Sequence, residues 1–214
     1  MTPFLVVLSS PSGGGKTTIA RKLLESRKDI GYSVSATTRA PRPGERDGAD
    51  YHFLERADFL RRVEAGEFLE YATYSGELYG TLRAEVERVL GSGRHVVLDI
   101  EVAGARQVRN RMPDAVHVFV LPPSADVLVH RLLGRDTEDA DRVRARLVHA
   151  AEELAAVGEY DYAVVNDDLA VAVGQVAAII DAESHRVQRQ RELEPFTDAL
   201  RQGVAAESAR LGVK

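Results

Sequence analysis

The feature that most constrains this chain is a short apolar run that leads into three consecutive glycines. Residues 4–8 are apolar, Gly13, Gly14 and Gly15 follow shortly after, and Lys16 opens a segment of helix-forming residues. This order predicts a strand, a tight loop and a helix. Because glycine has no Cβ, successive backbone N–H groups can face one anion, and the positive end of the helix dipole points to the same place. The stretch is therefore a candidate phosphate-binding loop.

Two side chains support this interpretation and one position departs from it. Lys16 supplies a mobile cation, and Thr17 places a hydroxyl where a Mg²⁺ ion bridging phosphates needs an oxygen ligand. The usual pattern has a glycine six residues before the lysine, but this chain has Ser10 there. The alternative is a glycine-rich turn that only joins a strand to a helix.

Strand patterns alternate with helical patterns through most of the remaining chain. Strands are predicted at 96–100, 116–121 and 162–165, and helices at 16–27, 84–90, 102–111, 125–133, 138–156 and 169–187. Such alternation predicts an α/β fold with a parallel sheet flanked by helices. The 214 residues fit one domain of this kind with insertions.

Three segments do not follow the alternation. Strand patterns at 33–38, 50–54 and 67–74, with one short helix around Phe59, predict a small mixed insert. Residues 131–142 are polar and rich in charge, as a mobile flap over a phosphate site would be, although a solvated helical turn has the same composition. From residue 184 onward, the polar sequence predicts a terminal helix pair or a frayed tail.

Composition narrows the range of partners. The chain has no cysteine, which excludes disulfides, thiol catalysis and thiolate zinc sites. No apolar run approaches the roughly 20 residues of a membrane helix, and no basic region precedes the first apolar run as in a secretion signal. A net charge of −5 argues against nucleic acid as a partner. We therefore expect a cytoplasmic protein that binds neither membranes nor nucleic acid.

Two arginines stand out against this acidic background. Arg39 and Arg42 lie in a turn that Pro41 and Pro43 stiffen. Paired guanidinium groups at a fixed spacing can clamp a phosphate. A basic surface loop, whose arginines contact solvent or a carboxylate, is an equally weighted alternative.

These motifs, together with others in the same order, resemble those of the guanylate kinase family. The resemblance runs from about residue 4 to residue 187 and rests on blocks at 10–17, 35–45, 50–51, 67–70, 79–81, 98–100, 131–135 and 165–168. It implies a P-loop NTPase-type parallel sheet, a small mixed GMP-binding insert and a helical lid. The implied core is about 1–33, 82–124 and 147–187, the insert about 34–81, the lid about 125–146, and 188–214 a polar helical tail.

The resemblance also implies an activity, which is transfer of the ATP γ-phosphoryl group to GMP with Mg²⁺, giving ADP and GDP. The implied ATP site consists of Ser12, Gly13, Gly14, Gly15, Lys16, Thr17, Thr18, Arg131, Arg135 and, beside the adenine, Asn166. The implied GMP site consists of Ser35, Arg39, Arg42, Glu45, Tyr51, Glu70, Tyr79, Gly80, Thr81, Asp99 and Glu101. The implied catalytic residues are Lys16, Arg39, Arg135 and Arg146, and the implied Mg²⁺ ligands are Thr17 and Asp99.

The chemistry of guanine agrees with this assignment. A carboxylate such as Glu70 can accept hydrogen bonds from the N–H donors of the Watson–Crick edge, while the Ser35 hydroxyl donates to O6. Adenine offers a ring-nitrogen acceptor instead, so the buried carboxylate would lose its partner. An outward strand position is the alternative for Glu70. The phosphate of GMP is largely ionised near neutral pH, so no general base is required.

Asp99 is predicted to end a strand beside the phosphate loop and to orient Mg²⁺ or its water; a helix-capping aspartate is the alternative. The chain departs from the family pattern at Ser10, at Glu101 where aspartate is common, and at Asp136 where glycine usually follows the lid arginine. Our hypothesis is that Asp136 competes for Arg135 and slows lid closure.

Two other functions stay open at this point. Scaffold domains similar to guanylate kinases bind phosphopeptides without catalysis, and related small-molecule kinases use other acceptors. The intact Gly15, Lys16 and Thr17 favour an enzyme. We expect ATP and GMP as ligands, with dGMP as an open alternative, and a monomer or small homo-oligomer.

Overall fold

The structure is a computed structural model that describes residues 2–74, 76–133 and 140–212, with side chains from residue 144 onward in the last range. Its strands are β1 (Leu5–Ser9), β2 (Ile30–Gly31), β3 (Ser35–Thr37), β4 (His52–Phe53), β5 (Phe68–Tyr74), β6 (Glu77–Leu82), β7 (His95–Asp99), β8 (Val116–Leu121) and β9 (Tyr162–Val165). Its α-helices are α1 (Lys16–Ser26), α2 (Arg56–Glu64), α3 (Arg83–Gly91), α4 (Val102–Arg111), α5 (Ala125–Leu133), α6 (Ala140–Ala155), α7 (Leu169–Ser184) and α8 (Leu193–Leu211).

The larger sheet is parallel throughout, in the order β2-β7-β1-β8-β9. Its central strand β1 is buried on both faces, which explains its continuous apolar sequence. Val6 and Leu8 pack with α1 and α7 on one face, and Leu5 and Val7 pack with α3 and α4 on the other. The predicted parallel α/β fold is confirmed.

The smaller sheet is mixed and has the order β4-β3-β6-β5. β3 and β4 are parallel, while the β3–β6 and β5–β6 pairs are antiparallel. Phe59 of α2 stacks on Phe68 at a ring-centroid distance of 4.3 Å, in a core of its own. The predicted mixed insert is confirmed, although β6 was not among the predicted strands.

Gly80 explains why the sequence pattern of β6 is hard to recognise. A glycine inside a strand normally weakens it. Here a Cβ on Gly80 would lie 2.7 Å from the carbonyl oxygen of Glu70 and 2.7 Å from a ring carbon of Phe68. The glycine is therefore required by the close approach of β5.

The predicted boundaries of the helices and strands agree closely with the structure around the parallel sheet and less well elsewhere. The helices predicted at 102–111 and 125–133 and the strands predicted at 116–121 and 162–165 have the observed limits. The strands predicted at 33–38 and 50–54 shorten to β3 and β4. The predicted terminal helix pair is wrong, because one exposed helix, α8, follows a 3-10 turn at Val187–Arg189.

Within the described residues, no helix is long and apolar enough to cross a membrane. The predicted lid residue Arg135 and its neighbour Asp136 lie outside the described residues.

At the carboxyl ends of β1 and β7, Leu8 pairs in register with Asp99. The ends of these strands bring the phosphate loop and Asp99 to one edge of the sheet.

Candidate active site

The predicted phosphate loop leaves β1 at Ser9 and enters α1 at Lys16. Gly13 and Gly15 have φ angles of 84° and 97°, in the left-handed region that favours glycine. A Cβ on Gly14 would lie 2.6 Å from the Cβ of Ser10. The serine that replaces the usual glycine therefore fits because Gly14, packed against it, has no side chain.

Asn166 supports this loop from the end of β9. Its Nδ2 donates a 3.0 Å hydrogen bond to the carbonyl oxygen of Gly14, and its side chain is buried. A Cβ on Gly15 would lie 2.2 Å from the same nitrogen. A cavity of about 320 Å³ opens here, and its lining residues are Gly13, Gly15, Thr18, Arg131, Asn166, Asp167 and Leu169.

Arg131 and Arg146, the two predicted lid arginines that the structure describes, lie close to this region. Nη1 of Arg131, on α5, lies 3.5 Å from the carbonyl oxygen of Gly13. Nη1 of Arg146, on α6, donates a 3.0 Å hydrogen bond to the carbonyl oxygen of Leu132. Arg146 thus ties α6 to the last turn of α5.

Asp99 meets the first turn of α1. It is the last residue of β7, and its Oδ2 accepts a 2.7 Å hydrogen bond from the hydroxyl of Thr17. Both side chains are exposed at the mouth of the site. The N-cap position of α4 belongs to Glu101, so the helix-capping alternative for Asp99 is wrong.

The arginine turn after β3 is organised by one carboxylate. Nη1 and Nη2 of Arg39 donate to Oε2 and Oε1 of Glu45 at 3.0 and 2.8 Å, and the backbone N–H of Arg42 donates to Oε2 at 2.7 Å. The hydrogen bonds from Arg39 are the main cause that lowers the pKa of Glu45. The guanidinium carbon of Arg39 lies 5.4 Å from the ring centroid of Tyr51. The Arg42 residue is exposed.

A second cavity of about 580 Å³ lies between the two sheets. Seven of the predicted GMP residues line it, namely Ser35, Tyr51, Glu70, Tyr79, Gly80, Asp99 and Glu101. Four others, Arg39, Arg42, Glu45 and Thr81, are not among the lining residues. Arg39 lies next to Tyr51, and Thr81 lies directly behind Glu70.

Glu70 is the buried carboxylate of this cavity. It is 6% exposed, and its Oε1 accepts a 2.7 Å hydrogen bond from the hydroxyl of Thr81. Burial raises the pKa of Glu70, since a charged carboxylate loses its hydration there. The alternative of an outward strand position is wrong for this residue.

Gly104 and Glu153 are among the residues of the site that were not identified from the sequence. A Cβ on Gly104 would lie 2.8 Å from Oε2 of Glu70, and a glycine inside a helix is a usable signal for such a close approach. Oε2 of Glu153 accepts a 3.1 Å hydrogen bond from the N–H of Ser12, and Glu153 is 4% exposed. Its only sequence signal is a charge next to the apolar face of α6.

A family model described as guanylate kinase matches residues 3–183 of this chain. The chain belongs to the guanylate kinase family. The guanylate kinase of Paramagnetospirillum magneticum is 50% identical over 200 residues, which cover 93% of this chain and 94% of that protein. The guanylate kinase of Rubrobacter xylanophilus is 54% identical over 164 residues, which cover 77% of this chain and 86% of that protein.

A solved structure leads to the same family. The crystal structure of guanylate kinase from Anaplasma phagocytophilum superposes with a TM-score of 0.72 at 36% identity, covering 92% of this chain and 95% of that one. In this member of the guanylate kinase family, the two cavities meet at the first turn of α1. Thr17 lines the larger cavity and Thr18 lines the smaller one.

Proposed function

We propose that this chain transfers the γ-phosphoryl group of ATP to GMP, giving ADP and GDP. The observation that carries the proposal is the position of the two cavities on either side of the phosphate loop and the first turn of α1, lined by the adjacent residues Thr17 and Thr18. Two nucleotides bound in them would present their phosphates to each other across Lys16. Phosphoryl transfer requires such an end-to-end arrangement.

ATP is assigned to the smaller cavity. The loop from Ser12 to Thr18 offers backbone N–H groups and the N-terminus of α1, which suit a polyphosphate. Lys16 and Arg131 supply positive charge, and Asn166 lines the cavity beside the loop. Arg135 and Arg146 are proposed to act from the lid.

The base of GMP is assigned to the interior of the larger cavity. Glu70 would accept from the N–H donors of guanine, and Ser35, which lines the same cavity, would donate to O6. The Thr81 hydroxyl already donates to Oε1 of Glu70, so its proposed part in guanine recognition is to orient the carboxylate. Because Glu70 is desolvated, binding a base that leaves its carboxylate without a hydrogen bond costs free energy. This favours guanine over adenine.

The phosphate of GMP is assigned to the arginine turn. Arg39 and Arg42 would bind it together with the hydroxyls of Tyr51 and Tyr79, both of which line the larger cavity. Glu45 holds the Arg39 guanidinium in a fork geometry. The fixed guanidinium can then present its remaining N–H groups to the phosphate.

We expect the protein to supply only a few of the ligands of the Mg²⁺ ion that this reaction uses. In the part of the chain that the structure describes, no group of three or more His, Cys, Asp or Glu side chains could hold a metal. The Thr17 hydroxyl and the Asp99 carboxylate are nevertheless in contact at 2.7 Å, and two oxygens beside a phosphate site fit Mg²⁺, which keeps substrate and water ligands. When bound, Mg²⁺ would neutralise phosphate charge.

The proposed mechanism needs no general base in the protein, because the accepting phosphate oxygen is already ionised near neutral pH. Lys16 and the arginines stabilise the charge that spreads over the transferred group. The insert at about 34–81 and the lid at about 125–146 are proposed as the units that close over GMP and ATP.

A coupled assay of ADP release with ATP and Mg²⁺ across GMP, AMP, CMP and UMP tests the function. We expect turnover with GMP and little with the others. If no GDP forms from GMP, the proposal fails, and GMP binding without turnover would favour the phosphopeptide-binding scaffold. Turnover with another monophosphate alone would indicate a related kinase.

A further inference from the structure

The strand that carries Glu70 is irregular at that residue. In the β5–β6 pairing, Phe68 is opposite Leu82 but Glu70 is opposite Thr81, so one extra residue, Leu69, is inserted as a β-bulge. In a regular strand, residues 68 and 70 would share a face. The bulge changes this, because Phe68 packs in the core of the smaller sheet while Glu70 lines the cavity.

Leu69 points in a third direction. Its side chain packs in the core beneath the parallel sheet, with residues of α3 and α4. Three consecutive residues of β5 are therefore buried in three different surroundings. The direction of the Glu70 carboxylate depends on the bulge keeping its present register.

A bulge leaves backbone groups without ladder partners, and these need other hydrogen bonds. Nη1 of Arg111, at the end of α4, donates to the carbonyl oxygens of Phe68 and Leu69 at 3.2 and 2.8 Å. A single guanidinium group thus satisfies both carbonyls that precede Glu70.

Gln107 binds the residue on the other side of Glu70. β5 is an edge strand of the smaller sheet. The Gln107 side chain accepts from the N–H of Tyr71 at 3.2 Å and donates to its carbonyl oxygen at 2.8 Å, as a neighbouring strand would. Residues 107 and 111 lie on one face of α4 because they are four residues apart.

Gly104, one turn earlier on α4, lies directly against the carboxylate. α4 therefore contacts β5 before, at and after Glu70. We propose that Arg111 and Gln107 are positioning residues for guanine recognition, because they hold the bulge that directs Glu70 into the cavity. This inference rests on the proposed function and extends it from the residues that would touch guanine to those that hold them.

The test compares Arg111→Ala, Gln107→Ala and the conservative Arg111→Lys. KM for GMP, KM for ATP and kcat are measured, together with the preference for GMP over IMP, which lacks the 2-amino donor. We expect Arg111→Ala to lower kcat/KM for GMP by about tenfold or more and to reduce the preference for GMP, with KM for ATP unchanged. Gln107→Ala should act in the same direction, and Arg111→Lys should restore most of the loss.

Arg109→Ala is the matched control. Arg109 is on the same helix but faces Asp161, with Nη1 3.4 Å from Oδ1, and among the described residues it makes no hydrogen bond or ion pair with β5. It should leave both KM values and the base preference unchanged.

Two results would overturn the inference. One is an unchanged preference for GMP over IMP in both alanine variants, and the other is an equal loss for ATP and GMP, which indicates a general structural role. A wild-type protein that forms no GDP would instead refute the proposed function itself, and with it this inference.

Discussion

The hydroxyl of Thr17 donates a 2.7 Å hydrogen bond to Oδ2 of Asp99, which joins the first turn of α1 to the end of β7. This pair places two oxygens beside the predicted phosphate loop, and among the described residues no group of three or more His, Cys, Asp or Glu side chains could hold a metal ion. Such a pair suits a cation that takes its other ligands from nucleotide and water.

If this pair binds Mg²⁺, Asp99→Asn should raise the Mg²⁺ concentration needed for half-maximal ADP release, and it should lower kcat by about 10²-fold. Thr17→Ala should act in the same direction because it removes the other oxygen. Thr17→Ser keeps the hydroxyl and is the control that should stay close to wild type. An Mg²⁺ dependence that neither Asp99→Asn nor Thr17→Ala changes would remove both residues from the metal site.

Lys16 is expected to act on the transferring group rather than on GMP. Lys16→Ala should reduce turnover by at least about 10³-fold, because a positioned cation is lost where charge develops. GMP binding, measured by calorimetry, should remain detectable because the cavity proposed for GMP and the cavity proposed for ATP lie on opposite sides of the first turn of α1. Loss of GMP binding together with turnover would show that the two sites are not separable in this way.

Arg39 is expected to bind the phosphate of the acceptor. Arg39→Ala should raise KM for GMP by about 10–100-fold with a smaller effect on KM for ATP, since a charge-assisted hydrogen bond is lost on one substrate only. Glu45→Gln should give a weaker effect of the same kind, because it loosens the fork that orients Arg39. Equal effects on both substrates would contradict the assignment.

Glu70 connects the proposed recognition of guanine with the stability of the fold. Burial raises the pKa of Glu70, so the folded state binds more protons than the unfolded state between the usual glutamate value and the raised one. Its contribution to stability is therefore largest at low pH and falls as pH rises through that interval.

Without nucleotide, Glu70→Gln should unfold at a higher temperature than wild type at pH 8, and the difference should shrink toward pH 5. Each kcal/mol gained corresponds to about 2–4 °C for a chain of this size. The same variant should lose the preference for GMP over IMP. A lower Tm than wild type at pH 8 would mean that the charged carboxylate is stabilised in the folded state.

The parts of the site that depend on local patterns were the easiest to predict. The loop from Gly13 to Thr17 is recognisable because glycines, a lysine and a hydroxyl follow a buried strand directly. Arg39 and Glu45 were assigned to the GMP site from the same short turn, but the hydrogen bonds between them were not predicted. Short, β-rich apolar runs were also enough for β8 and β9, whose limits were predicted correctly.

The other parts of the site depend on contacts between segments that are far apart in the sequence. Glu153 accepts a hydrogen bond from Ser12, which lies 141 residues away in the sequence. No periodic sequence pattern connects the two residues. The bulge at Leu69 makes three consecutive residues buried, so strand alternation fails at the residue that directs the carboxylate. The residues of the guanine site were assigned from the family resemblance, because the alternation of apolar and polar residues along the strand left the orientation of Glu70 open.

Our prediction for His117 is independent of nucleotide binding. The residue is 1% exposed, at the start of β8, and its Nε2 has no hydrogen-bond partner within the described residues. Burial, aided by the nearby charge of Arg109, lowers the pKa of His117 to about 4. The unfolded chain has a histidine pKa of about 6.5, so between these values the unfolded state binds more protons.

The stabilising contribution of neutral His117 is therefore complete above about pH 6.5 and is lost as pH falls through about 4. Urea unfolding of wild type should show this loss between pH 7 and pH 4.5. In His117→Leu, this loss of stability between pH 7 and pH 4.5 should be smaller by about 1–2 kcal/mol, allowing for solvent screening. The exposed His130 provides the control, because His130→Gln should leave the pH profile unchanged. If His117→Leu and wild type lose stability equally over this interval, another group causes the acid sensitivity.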